Sequence, residues 1–382
     1  MESLTHGRSG IAPLVTLPRA DFSKAIGAEV KDFDPNAHFD ESRLALLDRN
    51  AQFALVAARE AVTHAYGSLS VPNRDGAVIL GTSIGGKISD DVAADRLYRG
   101  DGRVHPLTII RVMASAAASH VTMDLGLTGP AFSVTSACAS SNHAIGQAAQ
   151  LIRNGVVSWA IAGGTDACFA YGLFKAWEAM RILAPDTCRP FSAGRRGLVL
   201  GEGAGVVILE SLEQAQARGA QIYAEILGSG ASADAGHITQ PSVAGAARAM
   251  QVALRDSSVS PDEVGYINAH GTGTLSNDIT ETQAIKEVFG AHSKRLAVSS
   301  TKSIHGHALG AAGGIELIAT VLALHHRFLP PTVNYIKTDP ECDLDYVPNV
   351  ARHQEIDIAL SNSFAFGGLN AVLVVRRWSQ SS

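Results

Sequence analysis

Short apolar, β-rich runs alternate along the chain with Ala-rich stretches of helical spacing. GAVILGTSIGG, VSWAIAGGTDA, GAGVVILES, QIYAEILGSGASADA, EVGYINAHGTG, LAVSSTKS and IDIALSNSFAFGGLNAVLVVRR predict strands, the last one a pair joined by a hairpin at Gly367-Gly368. Strands that alternate with helices predict a layered α/β architecture. A polar helical stretch, SLEQAQARGAQ, follows the VVILE strand and puts a junction near residue 218, giving halves 1–217 and 218–382. No low-complexity linker separates them, so they are expected to share one body.

Two segments share a plan. FSVTSAC runs into the helix ASSNHAIGQAAQLIRNG, and LAVSSTKS runs through IHGHALGAAGGIELIATVLALHH: each is a strand, a polar turn and a helix of small residues. An internal duplication is the reading. If the halves pack about a pseudo-twofold, the two helix starts should lie close together.

Composition narrows the class. The chain has 382 residues, 46% of them hydrophobic, enough for a sizeable core. A formal charge of -5 without a long Lys/Arg run argues against nucleic acid. No apolar run reaches the roughly 18 residues of a membrane span, and MESLTHGRSGIAPLV lacks the basic-then-apolar order of a signal peptide. A cytoplasmic location is the expectation. The four cysteines, Cys138, Cys168, Cys188 and Cys342, show no CxxC spacing, so neither a zinc site nor a disulfide framework is indicated.

Candidate chemistry gathers at four places. Cys138 sits where a helix starts at or just after it, among small neighbours; unpaired N–H groups and the helix dipole there would favour a thiolate. A packed core cysteine is the competing reading. His270, in NAHGTGT, stands on a Gly-rich turn at a strand end and is either structural or catalytic. STKSIHGHALGAAGG brings Lys302, His305 and His307; a His-x-His metal pair lacks an acidic or cysteine ligand at matching spacing, and an uncharged, donating imidazole is the better functional idea. SNSFAFGGLNA is by itself a hairpin. A thiol at a helix start, two histidines on separate turns, a lysine and a Gly-rich hairpin together suit covalent acyl transfer with carbanion chemistry.

With those motifs in hand, the chain resembles the β-ketoacyl-[acyl carrier protein] synthases of the thiolase fold, of the elongating bacterial kind and with a likeness to nodulation-type synthases. GPAFSVTSACASSNHAI, NAHGTGT, STKSIHGHALGAAGGIE and SNSFAFGG resemble their four motifs in order and spacing, and the likeness runs from about Gly7 to Arg377. The resemblance implies two pseudo-symmetric halves in α-β-α-β-α layers. It also implies decarboxylative condensation with malonyl-[acyl carrier protein], substrates held as phosphopantetheine thioesters without a metal or other cofactor, and a homodimer with a continuous sheet or a heterodimer with a related subunit. By resemblance Cys138 would be the nucleophile, and His270 and His307 would bind the thioester carbonyl. Lys302 would support His307 with Glu316 as its acidic partner, and the backbone N–H groups of Cys138 and Phe364 would form the oxyanion hole. Phe364 and Phe366 would gate the site, Ile84 would line the acyl pocket, and Arg103 and Arg181 would face the carrier protein. An acyltransferase or malonyl decarboxylase of this fold, or a non-catalytic partner subunit, are the alternatives.

The chain also departs from the pattern. Ala365 and Leu369 stand where the family usually has Gly and Thr, ESRLALLDRN is poorer in lysine than the usual docking face, and His305 occupies a variable position, taken as structural. The family's opening strand, of the VVVTGxG kind and expected inside the first sheet, precedes the point where this chain begins.

Overall fold

Two sheets account for the strands that the hydrophobic pattern predicts. The structure is a computed structural model that describes residues 1–379. Its main elements are α1 (Arg49–Tyr66), β1 (Ala77–Gly81), β2 (Ala131–Val134), α2 (Ser140–Arg153), β3 (Trp159–Asp166), α3 (Tyr171–Ala179) and β4 (Gly203–Glu210). There follow β5 (Ala224–Ala233), α4 (Val243–Ser257), β6 (Tyr266–Asn268), α5 (Leu275–Phe289), β7 (Ala297–Ser299), α6 (Ala312–His326), β8 (Ile358–Ala365) and β9 (Leu369–Arg377).

The first sheet has the order β2-β1-β3-β4 and the second β5-β9-β8-β6-β7. In each, two neighbouring pairs are parallel (β2/β1/β3 and β7/β6/β8), and an antiparallel strand follows, β4 beside β3 and β9 beside β8. The sheets are thus topological copies, except that β5 pairs with the far side of β9 and no described strand pairs with the far side of β4. This corrects one expectation: the counterpart of β5 belongs at the outer edge of the first sheet, not inside it. Val207, Ile208 and Leu209 on that edge are half-buried.

Five layers result. α1 covers the outer face of the first sheet and α4 that of the second, while α2 and α6 lie between the sheets and touch both. Burial on two faces explains why β1 and β3 read as unbroken apolar runs, with every residue buried. It also explains the small residues of α2 and α6: a Cβ added to Gly205 of β4 would stand 2.3 Å from the Gly314 carbonyl carbon of α6. The stretch Leu309–His326 is apolar enough by composition to cross a membrane, which adjusts the sequence reading, but 67% of it is buried as this central layer.

The two helix starts do meet. The short turns Ala137–Ala139 and Leu309–Ala311 precede α2 and α6, each has a non-glycine residue in the left-handed region (Ala137 φ 48, Leu309 φ 49), and the Ser141 hydroxyl donates to the Gly310 carbonyl. The centre of the molecule therefore gathers the polar turns from both halves.

Candidate active site

Cys138 reaches the site through its turn. The Ser140 hydroxyl accepts from the Ser136 N–H at 2.9 Å and donates to the Ala137 carbonyl at 2.7 Å, which holds Ala137 in its unfavourable conformation. The nucleophile candidate is 6% exposed and borders a cavity of about 130 Å³ shared with His270, His307, Phe364 and Phe366.

His270 follows β6 on a turn gripped from α5. Both oxygens of buried Glu281 accept backbone N–H groups, from His270 and from Gly271, each at 2.8 Å. Gly271 has φ 35 and no room for a side chain, since a Cβ would sit 2.5 Å from Ser300. His307 is held by its own backbone: its N–H donates to the Val199 carbonyl at 2.7 Å, and its carbonyl accepts from Gly201 at 2.9 Å. Its Nε2 lies 3.1 Å from Cys138 Sγ, and the two imidazoles meet edge to face with centroids 5.3 Å apart.

Lys302 departs from the expected pairing. Its ammonium lies 3.3 Å from His270 Nδ1 and is ion-paired with Glu316, so it supports His270 rather than His307. Both members of the pair are buried, and burial pushes the Glu316 carboxyl up to about 7 against the pull of Lys302. A charged lysine only donates, so His270 Nδ1 must accept and the imidazole proton is left on Nε2. Ligand atoms of Cys138, His270 and His307 lie within 4.8 Å of one another, close enough for a metal by distance alone. A proton fixed on His270 Nε2 makes that nitrogen a hydrogen-bond donor instead of a ligand.

Electrostatics correct the thiolate expectation. Burial pushes the Cys138 thiol up to about 12; the Lys302 charge and the Phe366 N–H pull it down, while the Asp166 and Glu316 charges push it further up. Desolvation is the largest influence on the sulfur, which lies in the turn that precedes α2. Both histidines are driven well below their usual value, first by burial and then by Lys302, and are neutral. Cys168 and Cys188 are equally buried, and none of the other three cysteines borders the cavity. Iodoacetamide is therefore expected to label Cys138 alone in the folded protein, because of access and not acidity. Peptide mapping should show a labelling rate still rising at about pH 9, above the ordinary cysteine value; a plateau near neutral pH would mean an acidic thiol.

The chain is similar to known proteins over nearly its whole length. The description "Beta-ketoacyl synthase, N-terminal domain" matches residues 1–215, and "Beta-ketoacyl synthase, C-terminal domain" matches residues 223–336. The chain belongs to the β-ketoacyl synthase family. It is 49% identical over 381 residues to nodulation protein E of Rhizobium sp. (strain N33), covering 98% of this chain and 94% of that protein. It is 43% identical over 387 residues to 3-oxoacyl-[acyl-carrier-protein] synthase 2 of Synechocystis sp. (strain ATCC 27184 / PCC 6803 / Kazusa), covering 99% and 93%. Among solved structures, the ishigamide ketosynthase/chain length factor superposes with a TM-score of 0.93 at 38% identity, covering 99% of this chain and 94% of that one. These likenesses establish the thiolase-like ketosynthase fold.

Other residues of this β-ketoacyl synthase stand elsewhere than the sequence motifs imply. The hairpin N–H that points at Cys138 Sγ is that of Phe366, not Phe364. The β8–β9 ladder ends at Ala365, so the next N–H is free for the site, whereas Phe364 is still in register with Asn370. The Phe364 ring instead stands 6.1 Å from His270. Ile84 does not border the cavity; it packs on a cluster containing Phe174, Leu183, Leu198 and Leu309, of which only Leu198 borders it. Ile84 can limit an acyl chain only if that cluster opens. His305 is half-buried and contacts the Thr301 hydroxyl at 3.0 Å. Arg103 and Arg181 are both exposed, and Arg181 immediately precedes Ile182 at the cavity wall.

Several contributors escaped sequence reading. Trp177 of α3 lines the cavity and stacks on Phe366 with centroids 6.1 Å apart. Residues 237–241 cover the mouth, and the Ile238 carbonyl accepts the Gly367 N–H at 2.7 Å. Glu281 had a usable signal, an acidic residue one helical stretch after HGTGT; Trp177 had none. At about 130 Å³ the cavity is far below the roughly 300–1,000 Å³ of small-molecule sites.

Proposed function

We propose that this chain performs decarboxylative Claisen condensation of an acyl group held on Cys138 with malonyl-[acyl carrier protein], giving a 3-oxoacyl-[acyl carrier protein] for fatty-acid or polyketide-type synthesis. The supporting observation is a cavity-facing thiol 3.1 Å from one neutral imidazole and beside a second whose proton is fixed by a buried Lys-Glu pair.

In acyl transfer, Cys138 sulfur attacks the thioester carbonyl of the incoming arm while its proton passes to His307 Nε2. The Phe366 N–H faces the developing oxyanion. Collapse expels the arm's thiolate, which takes the proton from His307 and leaves as a thiol. A high thiol pKa suits this order, since the proton moves only as the carbon–sulfur bond forms.

In condensation, the malonyl thioester oxygen accepts from His270 Nε2, and from His307 Nε2 once the His307 proton has moved there from Nδ1. The carboxylate carbon–carbon bond breaks, CO2 leaves, and the electron pair moves onto the enolate. Neutral N–H donors stabilise that charge where carboxylates would repel it. The enolate carbon then attacks the acyl thioester on Cys138; the sulfur departs as thiolate and takes up one proton per turnover. No step calls for a metal or resident cofactor, because the phosphopantetheine arms bring both reactants. Four free cysteines suit the reducing cytoplasm.

Intact-protein mass spectrometry with a panel of acyl carrier proteins tests the reading. The mass of the acyl group should appear on Cys138 and be discharged by malonyl carrier protein as a 3-oxoacyl product. Acylation followed by release of free acid or CO2 alone would favour the acyltransferase or decarboxylase alternative.

A homodimer is part of the same proposal. β2 is an open edge of the first sheet, with Phe132 39% exposed, and apolar Ile109 and Met123 lie exposed on nearby elements. Pairing of β2 with its copy would join the two first sheets and cover that surface. Phe132→Asp is expected to shift the sedimentation coefficient from dimer to monomer; an unmoved dimer would place the interface elsewhere. A monomeric wild type that dimerises only with a related second subunit would favour the heterodimer.

A further inference from the structure

Asp166, the last residue of β3, is fully buried, with no cation beside it among the described residues. Burial pushes its carboxyl up, and only hydrogen bonds from Ser83, Thr82 and Gly310 pull it back. One oxygen accepts the Thr82 hydroxyl at 2.6 Å; the other accepts the Ser83 N–H at 2.9 Å, the Ser83 hydroxyl at 2.6 Å and the Gly310 N–H at 2.6 Å. A lone buried carboxylate is costly, and a fold needing only packing would do better with an apolar residue of that size. Its donors show what it secures.

Thr82 and Ser83 open the loop leading to Ile84. Gly310 lies three residues after His307, directly after strained Leu309, and approaches so closely that a Cβ there would stand 2.4 Å from the Ser83 nitrogen. The other end of that residue is held as well, since the Gly310 carbonyl accepts the hydroxyl of Ser141, three residues after Cys138. One residue of the second half is thus pinned through its N–H by Asp166 and through its carbonyl by the Cys138 helix. We propose that Asp166 is a positioning residue that keeps the His307 turn docked against the nucleophile helix, and so holds His307 Nε2 in hydrogen-bond reach of Cys138. It touches no reacting atom.

The shape of the cluster explains the carboxylate. Ser83 and Gly310 present fixed backbone N–H groups to one oxygen and Thr82 a hydroxyl to the other, and only a carboxylate accepts on both sides. Asp166→Asn keeps the volume but leaves at best one neutral oxygen in place of two charge-assisted acceptors, which weakens the hold on Gly310.

The proposal rests on the condensation reading. A wild type that does not condense sinks both; an unaffected variant of an active wild type sinks only this one. Asp166→Asn is expected to remain folded and to lose at least about 30-fold in condensation kcat, with the KM for malonyl carrier protein within about 3-fold. The pH midpoint of Cys138 alkylation should fall, because a negative charge that opposes the thiolate is gone. Ser141→Ala should lose about 10-fold, and the double variant should be little worse than Asp166→Asn, since both release the same residue. Multiplicative losses, or condensation within about 3-fold of wild type in folded Asp166→Asn, overturn the proposal. Should Asp166→Asn not fold, Ser141→Ala decides alone: undiminished condensation with an unchanged melting temperature refutes it.

Discussion

Cys138→Ala is expected to abolish condensation while sparing release of CO2 from malonyl carrier protein. In the proposed mechanism the two half-reactions use different groups. Acyl transfer needs the sulfur, whereas breaking the malonyl carbon–carbon bond needs only the imidazole donors around the carbonyl oxygen. Loss of the covalent nucleophile costs on the order of 10⁴- to 10⁶-fold where it acts as a unit with its base. Alanine leaves the Cys138 turn intact, because that turn is held by Ser136, Ala137 and Ser140 and not by the thiol. Mass spectrometry should find no acyl adduct, and a coupled CO2 assay should retain most of its signal. Loss of both activities in a folded variant would mean that the sulfur takes part in decarboxylation, contrary to the separation of roles.

His270→Ala is expected to show the opposite pattern. In the proposed mechanism its Nε2–H donates to the enolate oxygen, and deleting one such donor costs about 10²- to 10³-fold in rate. Acylation of Cys138 should be largely spared, because the nitrogen beside the sulfur belongs to His307. Lys302→Ala should weaken decarboxylation in the same direction, by freeing the His270 proton to move to Nδ1, and should also destabilise the fold by leaving buried Glu316 unpaired, on the order of 3–5 kcal/mol. Both imidazoles are held well below their usual value, so decarboxylation should show no histidine step as pH falls from about 8 to 6. A titration centred near 6.5 would mean that an imidazole gains charge in the working range. Equal loss of acylation and decarboxylation in His270→Ala would merge roles that the geometry separates.

Much of this protein is legible along the chain because its elements are buried on both faces. β1 and β3 read as unbroken apolar runs for that reason, and the small residues of α2 and α6 announce two backbones in near contact. The duplicated strand-turn-helix plan was visible too, and with it the meeting of two helix starts. Chemistry was legible where residue type is unusual for its place: a cysteine among small polar residues, and histidines on Gly-rich turns. What was misjudged concerns direction and environment. Lys302 follows the β7 turn and stands close to His307 in sequence, yet its long side chain reaches back to His270; the hairpin offers the Phe366 N–H because its ladder stops one residue earlier.

Residue order by itself determined the layered class, the paired halves and the small set of groups able to carry acyl chemistry, since periodicity, small-residue spacing and reactive types are local properties. Tertiary structure alone decided the protonation and the partnerships. Burial between layers from both halves pushes the Cys138 thiol up and both histidines down from their ordinary values. Asp166, Glu281 and Trp177 acquire their places only when strands and helices distant in the chain converge, and neither desolvation nor such convergence is written in any short stretch of residues.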